Sequence, residues 1–201
     1  DGVFLLRIED IDPGRSRPEH VDSILEDLIW LGLEWDGEII YQSERLDLYA
    51  AALERLKAMG LVYPCFCTRA DIAASTAAPH GPDGPVYPGT CRALPADAVD
   101  LARPHAWRLD VEAAVRRAGP LSWTDHGQTI ASEPLSFGDV VLARKDAPAS
   151  YHLAVTVDDA DQGVTDIVRG RDLFASTHVH RLLQALLGLP TPFYHHHGLL
   201  S

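Results

Sequence analysis

Apolar and polar positions alternate along this chain in blocks that predict alternating strands and helices. Val3 to Ile8 (VFLLRI) is a short continuous apolar run of the buried-strand type, and Glu9-Asp10-Ile11-Asp12 follows at its C-terminal end. Pro13-Gly14 predicts a turn. From Pro18, Val21, Ile24, Leu25, Leu28 and Leu31 recur at helical spacing, and Gly32 closes that helix. A second helix is predicted from about Ser43 to Met59. Leu46, Tyr49, Ala50, Leu53 and Leu56 line one face, Ser43 stands as N-cap and Gly60 follows the end. Tyr151 to Val157 (YHLAVTV) reads as a strand by its β-branched alternation, and Thr165 to Val168 as another. Thr177 to Leu187 reads as a helix stopped by Gly188.

Between these halves the character changes. Residues 63–142 carry all three Cys, most of the 14 Pro, and a low-complexity stretch from Ala73 to Pro85 too rich in Ala, Pro and Gly to pack. Strand–helix alternation flanking such a middle predicts an α/β domain split by an insertion. The division expected is 1–62, 63–142 and 143–201.

Composition narrows the classes. The chain has 201 residues, 46% hydrophobic and 23% charged, an ordinary globular balance that excludes a disordered or collagen-like chain. The formal net charge of −12 argues against a general nucleic-acid coat protein, though it leaves room for a local basic groove. No apolar run approaches the ~20 residues that cross a bilayer. Three Cys make no disulfide framework, and the odd count points to a reduced, cytoplasmic setting with metal-binding or catalytic thiols. The first residue is Asp1, and Leu199-Leu200-Ser201 ends the sequence without a cap or polar tail. The chain is therefore read as part of a longer protein.

Cys65 and Cys67 form a C-x-C pair, and Cys91 follows four residues after Tyr87. Zn²⁺ prefers four tetrahedral ligands, thiolates foremost. Three Cys leave one position for Tyr87 as a phenolate, for His80, or for water; the competing reading is three small buried hydrophobes. Glu9 falls where an open α/β sheet presents ligand groups, either to hold an ammonium or to pair with Arg7 or Arg15. Arg169 sits at another strand end, either as a bidentate partner for a ligand carboxylate or in a salt bridge to Asp166 or Asp172. Tyr151 opens its strand and adds a hydroxyl to the same region or packs in the core. Asp158-Asp159 is read as a turn or cap, His178 and His180 as surface or packing residues, and His195-His196-His197 as a weak metal candidate. No Gly-rich phosphate loop and no Ser/His/Asp arrangement is present.

These pieces together resemble a known family. LLRIEDIDPGRSRPE, WLGLEWDG, YQSERLDLY, the Cys-Phe-Cys-Thr-Arg stretch and YHLAVTVDDADQGVTDIVRGRDL are similar to the catalytic domain of glutamyl-tRNA synthetases, from residue 3 to about 195. RIEDIDP, the CxC…YxxxC arrangement and QGVT…RGRDL look most like the stand-alone branch of that family. That branch lacks the anticodon-binding domain and attaches glutamate to the queuosine base of tRNA(Asp). The resemblance implies a class I Rossmann-type parallel sheet split by a connective insert with a zinc-binding subdomain. Residues 1–62 and 143–201 would be the two parts of the catalytic domain. It places a structural zinc on Cys65, Cys67, Tyr87 and Cys91, the glutamate α-ammonium on Glu9, and the glutamate side-chain carboxylate near Tyr151 and Arg169. It implies ATP with Mg²⁺, L-glutamate and tRNA(Asp) as substrates, and a monomer. The family's His-Ile-Gly-His-like and Lys-Met-Ser-Lys-Ser-like signatures do not occur in this sequence, so no ATP-contacting residue is assigned. Two other readings are an ordinary glutamyl-tRNA synthetase and a non-catalytic, zinc-stapled tRNA-binding or scaffold module.

Overall fold

The computed structural model describes residues 2–12, 14, 16–73, 80–81 and 84–199. Strand β1 (Arg7–Ile8) is shorter than the apolar run that predicts it and pairs in parallel with β2 (Ile40–Tyr41). Only Ile8 of that run is buried, while Val3, Phe4 and Leu5 are exposed. Helix α1 (Pro18–Trp30) begins with Pro at its first turn, where no N–H is missed, and Gly32 takes the left-handed conformation just beyond it (φ 71°). None of its residues is buried. Ser43 is not the cap of the next helix. It sits in a 3-10 turn, Gln42–Glu44, and gives its backbone N–H and hydroxyl to Asp10 at 2.9 and 2.6 Å. Helix α2 (Leu46–Ala58) starts after Arg45.

Strand β3 (Val62–Cys65) follows, then the short α3 (Arg69–Ala73) and a small hairpin, β4 (His80–Gly81) with β5 (Gly84–Pro85). Most of the low-complexity stretch, and the side chain of His80, lie outside the described residues. Strand β6 (Ala106–Leu109) leads into α4 (Val111–Ala118), capped by the Asp110 carboxylate accepting from Ala113 N–H at 2.9 Å. Strands β7 (Ser122–Asp125) and β8 (Gln128–Ala131) form a hairpin through His126-Gly127, both at positive φ. Strand β9 (Val141–Ala143) completes an antiparallel sheet of order β3-β6-β9.

The segment read as a strand from Tyr151 is instead helix α5 (Tyr151–Asp161). Ser150 caps it, accepting from Leu153 N–H at 3.5 Å. Leu153, Ala154, Val155 and Thr156 are buried in succession, so the helix hides most of its circumference and shows no amphipathic period. Strand β10 (Asp166–Gly170), helix α6 (Ser176–Leu187) and strand β11 (Phe193–His197) follow. Gly188 in the left-handed region (φ 65°) ends α6 as the sequence predicts. The second sheet has the order β10-β11-β7-β8, with β10, β11 and β7 parallel and β8 antiparallel.

One apolar core ties these pieces together. Tyr49, Leu53 and Leu56 of α2 meet Leu109, Val111 and Leu142, Leu153 of α5, and Val179, Leu182 and Leu183 of α6. Each such side chain contributes about 1.5–3 kcal/mol on burial. The core therefore draws on all three stretches of the chain and packs α2, α5 and α6 together.

Candidate active site

Arg7, Glu9 and the acids of α5 make one electrostatic unit. Arg7 donates from Nη2 to Asp159 at 2.9 Å and from Nη1 to Gln162 at 2.8 Å, and the same Nη2 lies 3.7 Å from Glu9. Glu9 leaves β1 at its C-terminal end, where parallel α/β sheets gather ligand groups. Loss of solvent raises the Glu9 carboxyl above its ordinary range; Arg7 opposes this, and Asp159 and Asp158 add to it. Glu9 and Asp159 share the single charge of Arg7, which leaves this corner favourable to an incoming cation.

Asp158 does not form a turn or cap. Its carboxylate is wholly buried and accepts from Gln42 Nε2 at 2.7 Å, Arg45 Nε at 2.8 Å and the Tyr49 hydroxyl at 2.8 Å. It fixes α5 against α2, and with it the direction of Tyr151 and Asp159.

Tyr151 is the first residue of α5, and its hydroxyl lies 3.4 Å from Arg169 Nη1. Burial raises the phenol, the Arg169 charge lowers it, and Glu9 raises it in turn. Glu9 and Arg169 therefore act on the same hydroxyl from opposite signs. Glu9, Tyr151 and His152 line a cavity of about 990 Å³ that also reaches Arg144, Lys145 and Tyr87. Arg169 is not in its wall; it stands behind Tyr151. It is inside β10 rather than beyond a strand end, paired in register with His196 of β11.

Arg169 pairs with neither Asp166 nor Asp172. It donates from Nε to His196 Nε2 at 3.1 Å, from Nη2 to Thr177 Oγ1 at 2.6 Å, and from Nη1 toward His180 Nδ1 at 3.4 Å. His180, read from sequence as a surface or packing residue, is fully enclosed with Nε2 3.1 Å from His152 Nδ1. Burial lowers both rings first, with the Arg169 charge adding to it, His152 to about 4 and His180 well below the ordinary value. His178 accepts from Trp123 Nε1 and from Glu133 N–H. The His195-His196-His197 run divides. His195 pairs with Asp166 at 3.1 Å, His196 turns inward to Arg169 and Asp125, and His197 bonds the carbonyl of Gly198. It forms no cluster of metal ligands among the described residues.

Sequence reasoning missed Arg7, Thr177, His180 and His196. Thr177 and His180 stand three apart on α6, a polar pair on the buried side of an apolar helix, and that spacing is the signal that marks them.

At the far end of the cavity the three thiols converge. The sulfurs of Cys65, Cys67 and Cys91 all lie within 4.8 Å of one another, with Cys67 and Cys91 3.5 Å apart. The Tyr87 hydroxyl is 3.6 Å from the Cys67 sulfur and accepts from Cys91 N–H at 2.8 Å. Four donors around a tetrahedral ion with Zn–S near 2.3 Å stand roughly 3.8 Å apart, so this soft donor set fits such an ion. Burial raises the Cys67 thiol to about 11 and pushes the Tyr87 phenol up. At Cys91 burial acts upward, yet hydrogen bonds from Tyr87 and the Phe66 backbone leave the thiol below its ordinary value. Lys145 Nζ donates to the carbonyls of Phe66 and Cys67 at 3.0 and 3.1 Å and ties the cluster to the cavity wall.

Comparison with known proteins places this geometry. The chain matches the tRNA synthetases class I (E and Q), catalytic domain, over residues 1–201, and it belongs to that family. A glutamyl-Q tRNA(Asp) synthetase of Rhodobacter capsulatus is 48% identical over 217 residues, covering 99% of this chain and 76% of the relative. The protein of the same name from Chromobacterium violaceum is 48% identical over 200 residues, covering 100% of this chain and 64% of the relative. A crystal structure of a glutamate tRNA ligase from Elizabethkingia meningosepticum, in complex with its amino acid, superposes with a TM-score of 0.78 at 25% identity. That match covers 99% of this chain and 43% of the other. The chain thus spans roughly two thirds of these curated relatives and less than half of the solved structure. The α/β architecture with a parallel sheet, expected from the sequence, is that of a class I synthetase catalytic domain.

Proposed function

We propose that this chain is the glutamate-binding core of an ATP-dependent ligase. The enzyme activates L-glutamate as glutamyl-adenylate and transfers it to the queuosine base of tRNA(Asp). The observation that carries this reading is the placement of Glu9 and Tyr151 on one cavity, with the Arg169 guanidinium 3.4 Å behind the Tyr151 hydroxyl. An anionic corner and a cationic one on a shared hydroxyl suit the two ends of a single dicarboxylic amino acid. The names of the 48% identical relatives supply the acceptor.

In this scheme Glu9 takes the α-ammonium, and the side-chain carboxylate lies at the Tyr151 hydroxyl with the Arg169 charge next to it. The free α-carboxylate attacks the α-phosphate of ATP in line, and pyrophosphate leaves with Mg²⁺. A hydroxyl of the queuosine then attacks the carbonyl of the adenylate, forming the glutamyl ester as the bond to phosphate breaks, AMP leaves and the hydroxyl proton is released. The chain's own contribution is positioning, with proximity worth up to ~7–11 kcal/mol. Glutamine is rejected because its neutral amide leaves the buried guanidinium poorly paired. Cys65, Cys67, Cys91 and Tyr87 hold a zinc ion that supplies a structural crosslink for residues 63–142, the connective insert. The protein acts as a cytoplasmic monomer.

Amino-acid-dependent pyrophosphate exchange on the full-length protein, with and without tRNA, tests this. Exchange with glutamate in the absence of tRNA, followed by transfer to queuosine-containing tRNA(Asp), is the expected result. Exchange only in the presence of tRNA(Glu) supports the ordinary glutamyl-tRNA synthetase instead, and no exchange with any amino acid supports the non-catalytic module.

A further inference from the structure

The surroundings of Arg169 contain an ordered set of proton positions that follows from donor chemistry alone. A guanidinium has five N–H donors and no acceptor. His196 Nε2, 3.1 Å from Arg169 Nε, must therefore accept. Its ring is then neutral with the proton on Nδ1, which donates to Asp125 Oδ1 at 2.9 Å. His180 Nδ1 faces Arg169 Nη1 and accepts likewise, so its proton sits on Nε2 and points at His152 Nδ1, 3.1 Å away. The Thr177 hydroxyl accepts from Arg169 Nη2 at 2.6 Å, and its oxygen lies 3.4 Å from His196 Nε2, whose one lone pair is shared with the shorter bond from Arg169 Nε. Each bond agrees with the next. A proton added to Nε2 of His196 or to Nδ1 of His180 would set two donors face to face.

Every group in hydrogen-bond contact with Arg169 is thus uncharged: Tyr151 from α5, Thr177 and His180 from α6, and His196 from β11. Among the described residues no carboxylate lies within ion-pair distance of it; Asp125 of β7 is reached only through the His196 ring, and Asp159 is paired with Arg7. The Tyr194 ring adds a face 5.2 Å from the guanidinium carbon. This differs from the usual treatment of a half-buried arginine, which is pairing with an acid.

We propose that His180 and His196, as neutral acceptors of opposite tautomer, are the positioning residues that aim Arg169 without neutralising it, and so reserve its charge for a ligand carboxylate. This deepens the proposed function and rests on it for the identity of the ligand. The register pair Arg169–His196 and the Thr177–His180 spacing on α6 set the aim. An acid in either place would hold the guanidinium as firmly but would compete with the ligand for its charge.

The first test needs no ligand. Long-range ¹⁵N–¹H correlation spectra of the full-length protein at neutral pH should show His196 protonated on Nδ1 and His180 on Nε2. An imidazolium at either position, or the reversed tautomer, overturns the proposal. The second test uses substitutions that keep or remove one acceptor. His196→Gln retains an acceptor where Nε2 was, and His180→Asn retains one where Nδ1 was. His196→Leu and His180→Leu retain none. In glutamate-dependent pyrophosphate exchange the Leu variants should raise KM for glutamate about tenfold with kcat changed less than about threefold, and the amide variants should restore most of it. Equal loss in Leu and amide variants, or a fall in kcat at unchanged KM, overturns the positioning role. If the unsubstituted protein shows no glutamate-dependent exchange, it is the proposed function that fails, and the tautomers then decide the acceptor arrangement by themselves.

Discussion

The Tyr151 hydroxyl and the Arg169 guanidinium, 18 positions apart in the chain, stand 3.4 Å from each other. A helix start and a strand interior produce this meeting, because α5 runs away from Tyr151 and β10 returns to it. Asp158 sets the geometry from below by anchoring α5 to Tyr49 of α2 and to Gln42 and Arg45 just before it.

That anchor gives a stability prediction. Asp158→Ala leaves Gln42, Arg45 and Tyr49 without their buried acceptor. The expected cost is roughly 3–5 kcal/mol, read as a lowered urea midpoint. Asp158→Asn, which keeps the shape and loses the charge, should fall between. A change below about 1 kcal/mol for the alanine variant would contradict the anchoring role.

The thiol cluster gives a metal prediction. Cys91→Ser should lower zinc content, and both this variant and chelation should expose the amides of residues 62–67 and 87–92 to hydrogen exchange before those of α2 and α6. Metal analysis that finds no zinc in the unsubstituted protein would count against the site.

Gly138 supports the same cluster. It has φ 61° and bridges in parallel to Tyr87, and a Cβ there would stand 2.3 Å from Val86 Cγ1. Gly138→Ala should therefore cost about 1–3 kcal/mol and loosen Tyr87, reported by its ring resonances. An unchanged melting temperature would show that Val86 moves aside freely.

The buried imidazoles predict a pH dependence. His152 is pushed down to about 4 and His180 well below its ordinary value, because burial disfavours the imidazolium, with the neighbouring ring at His180 and the Arg169 charge at both adding to it. The unfolded chain binds protons at these rings near pH 6.5, the folded chain does not, so stability rises with pH across that interval. It is fully present above pH 6.5 and is lost as pH falls toward 4. Urea unfolding at a series of pH values should show this slope, and His152→Phe should flatten it. A slope unchanged by that substitution would place the proton uptake elsewhere.

Much of this was readable from the residues. Gly32, Gly60 and Gly188 mark helix ends because each takes a positive φ that other residues resist. Glu9 and Tyr151 line one cavity, with Arg169 at 3.4 Å from the Tyr151 hydroxyl. The strand assigned to YHLAVTV failed for a physical reason. Leu153 to Thr156 are buried on successive faces, so neither period shows, and Ser150 as N-cap was the local signal for a helix. Ser43 was misplaced as a cap because its partner, Asp10, lies 33 residues away. The His196 contact depends on the parallel register of β10 with β11, and the His180 contact on the packing of α6 beside Arg169, neither of which a local pattern encodes.

The proposed grip on glutamate by Glu9 and Arg169 is tested most directly by Arg169→Ala in the full-length protein, assayed by glutamate-dependent pyrophosphate exchange. The account predicts a loss of about a hundredfold or more in kcat/KM for glutamate, with circular dichroism showing the fold retained. Exchange at the unsubstituted rate would contradict it.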